Sequence, residues 1–460
     1  MKNARGLLIA LAPIAFAGCG GGDHNYYPTS VSPPPGTYAN LQVVNTSVDA
    51  PPMDVILDGK PFVNHLDYGQ GTGEQPISVG SHTLVVQIET PGAATTVIGP
   101  STLDAAANMD YVVAVEGNVG SIQAPGLSLV TSPHELAVVP GQSTRIQVLN
   151  AYTAPIVVYL TAPGADLSSS TPLGTVSPGG SLSPTEVAAG ESELRIAVSG
   201  APLSVSYDSG PIDLQGGTDL VFSALTPYYL PNVFPPCCIV SVSAVDAIGN
   251  NVWPNAGTGL RVVNDAADAP ALAVTANGNL TTPIVPSLAY EGSTGYLSVG
   301  GPPGVYDLAI TPASNLSNVL ASQTVDLNAG ESYSLFALGP LAQLFPLITR
   351  DDYRGYSTQA RLRFIQGSPS AQRVDVYLEP VGPGTAQSAA PTYAALPFAT
   401  DTGFVSYAQG AYTLSVAPAG SSTWIIGPVP VNLNNGQVIT IIARDSPGGG
   451  APYGLLELDP

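Results

Sequence analysis

The sequence predicts an all-β fold, a tandem array of four immunoglobulin-like β-sandwich domains that follows an apolar leader and a flexible stem. Three observations carry this. A motif of a short apolar strand, an Asn or Gln, a turn rich in Asp, Ala and Pro, and a second apolar strand occurs four times. Alternating strands broken by Gly-rich turns follow each copy, and no stretch shows a convincing helical period.

The copies are Leu41-Gln42-Val43-Val44-Asn45 before Asp49-Ala50-Pro51, Ile146-Gln147-Val148-Leu149-Asn150 before Ala154-Pro155, Leu260-Arg261-Val262-Val263-Asn264 before Asp268-Ala269-Pro270, and Leu362-Arg363-Phe364-Ile365-Gln366 before Val374-Asp375-Val376-Tyr377. From Asn45 to Asn150, Asn264 and Gln366 the spacings are 105, 114 and 102 residues, the size of whole domains rather than solenoid units. The chain therefore divides into a leader (1–18), a stem (19–37) and repeats at 38–141, 142–254, 255–356 and 357–460, the second divergent.

The leader carries Lys2 and Arg5 ahead of an apolar run from Leu7 to Phe16 and no acidic residue, the layout of a secretory signal. The run is too short to span a bilayer. Phe16-Ala17-Gly18-Cys19 resembles the lipobox of bacterial lipoproteins, with Phe16 a departure from the usual Leu; the resemblance implies that Cys19 becomes the lipidated first residue of the mature chain, carrying a palmitate-type acyl anchor. Gly20 after the Cys, where an Asp would imply inner-membrane retention, implies the outer membrane. An ordinary signal peptide with a chance Cys is the alternative. Residues 20–37 read GGGDHNYYPTSVSPPPGT, a spacer stiffened by polyproline at its far end that would reach on the order of 50 Å if extended.

Within the units, Asp58-Gly59 after Met53 to Leu57 reads as a tight hairpin. A Gly-centred turn then precedes an alternating strand in every unit, at Gly80, Gly190, Gly304 and Gly410; Tyr412, Leu414 and Val416 fall on one face of the last. A second hairpin recurs near Ala107-Asn108, Gly216-Gly217, Ala329-Gly330 and Asn435-Gly436. Six or seven strands per unit follow from these signals, and a small barrel is the alternative architecture. Short joints such as Asn255 to Gly259 lead to the expectation of limited bending between units.

Composition restricts the function classes. Charged residues are 10% of 460, Gly and Pro number 50 and 45, and the net charge is −21 from 12 basic and 33 acidic residues, with Lys2 and Lys60 the lysines. Without Lys2 and Arg5 the balance is 10 against 33, or −23, so an anionic membrane surface repels the mature chain and an anchor must hold it. Nucleic acid is excluded as a partner for want of a basic face.

The units resemble the bacterial envelope family known as domain of unknown function 4397, whose members open with a strand, Asn-Ala-Ser-Pro-Asp-Ala-Pro and Val-Asp-Val-Tyr. The likeness is greatest in Asn264-Asp265-Ala266-Ala267-Asp268-Ala269-Pro270 and in Ser368-Pro369 with Val374-Asp375-Val376-Tyr377. It extends over 38–460 with varying quality and implies fold and address, but no chemistry, since the family's function is unassigned.

Candidate chemistry is sparse. Asp49, Asp268 and the pair Asp351-Asp352 have the oxygens a calcium ion wants, but no dense oxygen cluster surrounds them, and turn capping accounts for an Asp before Ala-Pro. No cofactor is indicated. His24, His65, His82 and His134 match no metal-ligand spacing, and no His follows residue 134 to serve later units as a base. No nucleophile elbow, zinc-protease pair or phosphate loop occurs, so no catalytic residue is assigned and the chain reads as a non-enzyme. Cys237-Cys238 would form a vicinal disulfide, an intermolecular bridge or a buried thiol pair. Tyr228, Tyr229, Trp253 and Trp424, with Tyr353 and Tyr356, lie near loops where aromatics stack on sugars or anchor partners. The expected function is a lipid-anchored, outer-membrane structural or adhesive module whose partners are the membrane and envelope proteins or glycans; the rival is a glycan-binding surface lipoprotein using the loop aromatics.

Overall fold

A computed structural model describes residues 37–120, 127–201, 204–227, 240–252, 258–299, 301, 304–328, 331–381 and 390–459. Cys19 with its leader, Cys237, Cys238, Tyr228, Tyr229 and Trp253 lie outside the described residues. The fold is all-β, as expected: four two-sheet sandwiches, with two single turns of 3₁₀ helix, Leu167–Ser169 and Leu341–Gln343, among the described residues.

The first, third and fourth units each have eight strands rather than six or seven. The extra ones are short third and fourth strands, such as Val285–Leu288, Leu297–Ser298 and Val405–Tyr407, too brief to carry an apolar alternation. In each unit one sheet runs fourth-first-seventh-eighth and the other third-second-fifth-sixth. The second unit keeps this order but splits its fourth strand into Gly180–Ser181 and Thr185–Ala188 and adds Asn251–Val252 beyond the eighth.

Opening and seventh strands lie side by side and parallel at the centre of their sheet. The pairs are Tyr38–Asn45 with Met109–Glu116, Ser143–Asn150 with Thr218–Leu225, Gly259–Asp265 with Ser332–Leu338, and Ala360–Gln366 with Val438–Arg444. Four separate cores fill the sandwiches, and Tyr412, Leu414 and Val416 enter the fourth as their alternation requires.

The recurrent Asn is a staple across each sandwich. Asn45, Asn150 and Asn264 are fully buried, and each Nδ2 donates to a carbonyl in the third strand of its unit: Leu66, Val176 and Leu288, at 2.9–3.0 Å. Each Oδ1 accepts the N–H two residues on, from Ser47, Tyr152 and Ala266, which turns the chain out of the strand. Gln366 is longer by a methylene and instead reaches the carbonyls of Ser368 and Gln372 in its own turn. Asp58 and Gly59 make the predicted two-residue hairpin with φ of 51° and 75°. Gly80, Gly190 and Gly304 open their fifth strands at φ of 133°, 112° and 144°, conformations that favour glycine.

The joint expected at Asn255 to Gly259 lies largely outside the described residues, but two pairs of units, the first with the second and the third with the fourth, are packed face to face. In the opening strand of the third unit Leu260 and Val262 enter the unit's own core, whereas Val263 joins Phe336, Leu338, Ile365, Ile442 and Leu458 in an apolar layer between the third and fourth units. Val44, Val112, Ala114, Leu149 and Val221 make the corresponding layer between the first and second. Opening strands are therefore covered on both faces, which is why they read as continuous apolar runs.

One polar position interrupts each run, three residues before the fiducial: Gln42, Gln147, Arg261 and Arg363, exposed by 2%, 3%, 4% and 0%. Each reaches into the partner unit. Gln42 donates to the Asp246 carbonyl and Gln147 to Ser132; Arg261 donates to the Asp459 carbonyl at 2.8 Å, and Arg363 to Thr349 at 2.9 Å and Asp351 at 2.7 Å. The contact is reciprocal within each pair, as in an isologous dimer. Asp351, at the end of the third unit's eighth strand, also accepts from Tyr296 at 2.6 Å, from Ser334 and from Arg261 at 3.5 Å. Its carboxylate and the Arg363 side chain are both wholly shielded from solvent.

Two outcomes test this account. Asn264→Ala strands the Leu288 carbonyl and Ala266 N–H and should lower the urea-unfolding free energy by about 1–3 kcal/mol. Asp351→Leu removes the carboxylate that Arg261 and Arg363 share, leaving Arg363 only Asp401 at 3.7 Å, and should cost about 3–5 kcal/mol, whereas the combined Arg261→Met/Asp351→Leu/Arg363→Met change should cost much less because neither guanidinium is then buried without that carboxylate.

Candidate functional site

The segment joining the third and fourth units, 352–359, is where a third contact forms, with the first unit. Arg354, 3% exposed, pairs with Asp67 and donates to the carbonyls of Ala50 and Val48. Its guanidinium lies 5.5 Å from the Tyr68 ring and 4.7 Å from Tyr356. Ser357 N–H donates to the Asp49 carbonyl at 2.9 Å. Residues some 300 apart in sequence are thus held by one cation and two rings.

Two adjoining clefts flank this joint, of about 380 and 340 Å³, and both are bordered by Asp67, Asp352, Arg361 and Phe404. Arg361 lies between the rings of Tyr356 and Phe404, 4.5 and 5.2 Å from their centroids, and pairs with Asp352 at 2.9 Å. In the larger cleft the first unit supplies His65 and Glu89, hydrogen-bonded at 2.7 Å, and the fourth supplies Ser406, which accepts from Gln359 Nε2 at 2.8 Å. Burial pushes the Tyr356 phenol up to about 12, against the opposing pull of Arg354, so its hydroxyl remains a hydrogen-bond donor at neutral pH.

The aromatics named from the sequence have varied fates. Tyr356 borders the larger cleft and Tyr353 stacks on Tyr296 with centroids 4.9 Å apart. Trp424, in the bend between Gly410–Pro418 and Ile426–Leu433, is half-buried with its ring 4.9 Å from Tyr377 and edge-on to it, away from the joint. Asp49 and Asp268 act as caps with a longer reach than a local turn. Asp49 accepts the N–H groups of Val119 and Gly120, and Asp268 that of Leu341, tying each opening turn to the segment after the seventh strand. Among the described residues no three His, Cys, Asp or Glu side chains are placed to hold a metal ion.

Ser78, His82 and Asp58 have the order of contacts of a catalytic triad, but the hydrogen bonding assigns them another role. His82 Nδ1 lies 2.7 Å from Asp58, and Nε2 lies 2.7 Å from the Ser78 carbonyl against 3.4 Å from its hydroxyl. Both partners want a donated proton. Burial works to lower the imidazole's pKa, but these two acceptors outweigh it and the net shift is upward, which suits a doubly donating staple and not a general base.

Between the first and second units lies a charged pocket. Glu74 and Asp110 of the first face Asp219 and Arg145 of the second, which pair with each other through two oxygens. Burial, reinforced by the neighbouring carboxylates, holds Glu74 well above its ordinary range, and burial likewise raises Asp110. Glu116 is pushed up to about 7 by burial, and His134 is pushed down by burial and by Arg145.

The architecture defines a class: tandem β-sandwich proteins whose units fold back on one another in pairs. The chain belongs to the family described as Domain of unknown function (DUF4397), whose model matches residues 39–161 and 258–377. Each match runs through one whole sandwich and into the second strand of the next. No curated protein matches the chain. Among solved structures, the Bacillus anthracis TIE protein is similar at 12% identity with a TM-score of 0.15, over 86% of this chain and 66% of that one, less than two thirds of its length. A proposed cell adhesion protein from Bacteroides ovatus ATCC 8483 is similar at 8% identity with a TM-score of 0.15, over 47% of this chain and 97% of that one. At these scores neither likeness bears on function.

The joint was hidden from sequence reasoning because Arg354 and Asp67 lie in different repeats. Arg261 and Arg363 did leave a signal, a charge inside an apolar run at one fixed repeat position.

The pH dependence has a definite sign. A carboxyl held above its ordinary value binds its proton more tightly in the folded chain, so its contribution is full below about pH 4.5 and declines as pH rises through the folded value; His134, pushed down, acts in the opposite sense. Glu116→Gln should therefore match the wild type near pH 4 and become the more stable protein as pH rises toward 8, read by urea unfolding across that range. A constant difference at all pH values would refute the assignment.

Proposed function

We propose that this chain is a lipid-anchored protein of the bacterial outer membrane whose four sandwiches form a stiff, non-enzymatic interaction module, structural or adhesive in role. The observation that carries the reading is the face-to-face packing of the units, reinforced by Asp351 and Arg354: the energy of the fold goes into one preorganised body. Preorganised surfaces lose less entropy on contact with a partner.

Further support comes from the leader and Cys19, and from a net charge of −21 that makes electrostatic membrane binding unfavourable. Several acyl chains would anchor the protein far more firmly than one. Of the three described histidines, two are held within the fold, His82 by Asp58 and Ser78 and His134 beside Asp110.

Protease shaving of intact cells expressing the full chain, followed by mass spectrometry of membrane and released fractions, tests this. The wild type should partition with the outer membrane and Cys19→Ser should not. Release of peptides from intact cells would favour adhesion, and protection until the outer membrane is opened would restrict the role to the periplasm. Equal partitioning of wild type and Cys19→Ser would overturn the anchor.

A further inference from the structure

We infer that the larger cleft at the joint of the first, third and fourth units is a binding site for a neutral, hydroxyl-rich ligand, a saccharide. The inference goes beyond the scaffold reading and does not depend on lipid anchoring. Its starting point is the cleft's size: about 380 Å³ falls in the range of roughly 300–1,000 Å³ in which small-ligand sites lie. Three units border it, so the packing that stiffens the array also builds the site.

The chemistry of the walls selects the ligand class. Every charged group there has a partner beside it: Arg361 with Asp352 at 2.9 Å, Arg354 with Asp67, and Glu89 with His65 at 2.7 Å. An ion entering would have to compete with these pairs, whereas a neutral hydroxyl can bond to the remaining lone pairs and N–H groups without disturbing them. Gln359 sharpens the point. It is 3% exposed and its Nε2 is used by Ser406, but its Oε1 has no protein donor. The Ser406 hydroxyl, which accepts from that amide, has its own proton to donate to a ligand oxygen in the cleft.

Pro91, which is exposed, adds apolar surface for the carbon face of a sugar ring, beside Phe404, whose ring already carries the guanidinium groups of Arg361 and Arg363 at 5.2 and 4.5 Å. An apolar ligand would take the Ser406 hydroxyl and the outer lone pairs of Asp352 and Glu89 out of water without replacing those bonds. A peptide is typically captured along a free strand edge, and here Pro52 and Pro91 have no N–H while those of His65, Asp67 and Glu89 are already bonded to Asp54, Gln70 and the Pro52 carbonyl.

The test uses the full chain in detergent micelles on an array of defined oligosaccharides, with calorimetric titration of each sugar retained. Wild type should bind at least one structure saturably. His65→Ala/Glu89→Ala, on the exposed wall, and Ser406→Ala should weaken that binding about tenfold or more with unchanged thermal unfolding midpoints, the loss of a hydrogen bond to a charged or preorganised group. Trp424→Ala should bind as wild type. Retention of no oligosaccharide by the wild type overturns the proposal, as does full binding by both cleft variants; loss of binding in Trp424→Ala alone would move the site to the outer loops and overturn it equally.

Discussion

The constraint on which this structure rests is that the central parallel strand pair of each sandwich has two apolar faces and only one core. A lone sandwich would leave Val263, Phe336 and Leu338, or Val44, Val112 and Ala114, facing water. Pairing the units removes that exposure, and the reciprocal reach of Gln42 and Gln147, or Arg261 and Arg363, fixes which faces meet. Burying a carboxylate such as Asp351 is costly unless every oxygen is engaged, and here five side chains engage it. Such a contact is demanding of geometry, and so it confers register more than raw stability.

The two pairs solve the problem in different chemistries. The third and fourth units use guanidinium groups around one carboxylate, while the first and second use amides beside the Arg145–Asp219 pair and two carboxyl groups, Glu74 and Asp110, that burial holds above their ordinary range. Raised carboxyl groups occur in both pairs, since burial also lifts Asp265 and Asp401 in the third and fourth units. The joint at Arg354 links the first unit to the third and fourth, so a change in one interface has a physical route to the other.

Much of the fold was legible because its signals are local. The Asn fiducials, the Asp58-Gly59 hairpin and the Gly80, Gly190 and Gly304 strand starts each owe their identity to a backbone conformation a few residues wide, and they gave the repeat and the sandwich. Apart from Lys60–Leu66, which the Asp58-Gly59 hairpin implies, the third and fourth strands were not legible, since segments like Leu297–Ser298 exist through pairing and have no pattern of their own. The candidate site was hardly legible at all. Tyr356 was visible as an aromatic near a unit end, but its meaning depends on Arg354 and Arg361 on either side of it and on Asp67 from another repeat, relations that spacing does not encode. Arg261 and Arg363 were visible as charges in apolar runs; what they reach for was not, because the partner face comes from the neighbouring unit.

The position of the opening strand has a mechanical consequence. Tyr38–Asn45 is the first described strand and sits in the interior of its sheet, bonded on one side to Gln75–Ser78 and on the other to the parallel Met109–Glu116. Tension entering at residue 37 along the strand loads both ladders in shear, so many hydrogen bonds must yield together instead of unzipping one at a time. The same strand is clamped from above by its own core and from below by the second unit. Force applied along this strand is therefore shared between the sheet that contains it and the apolar layer beneath it.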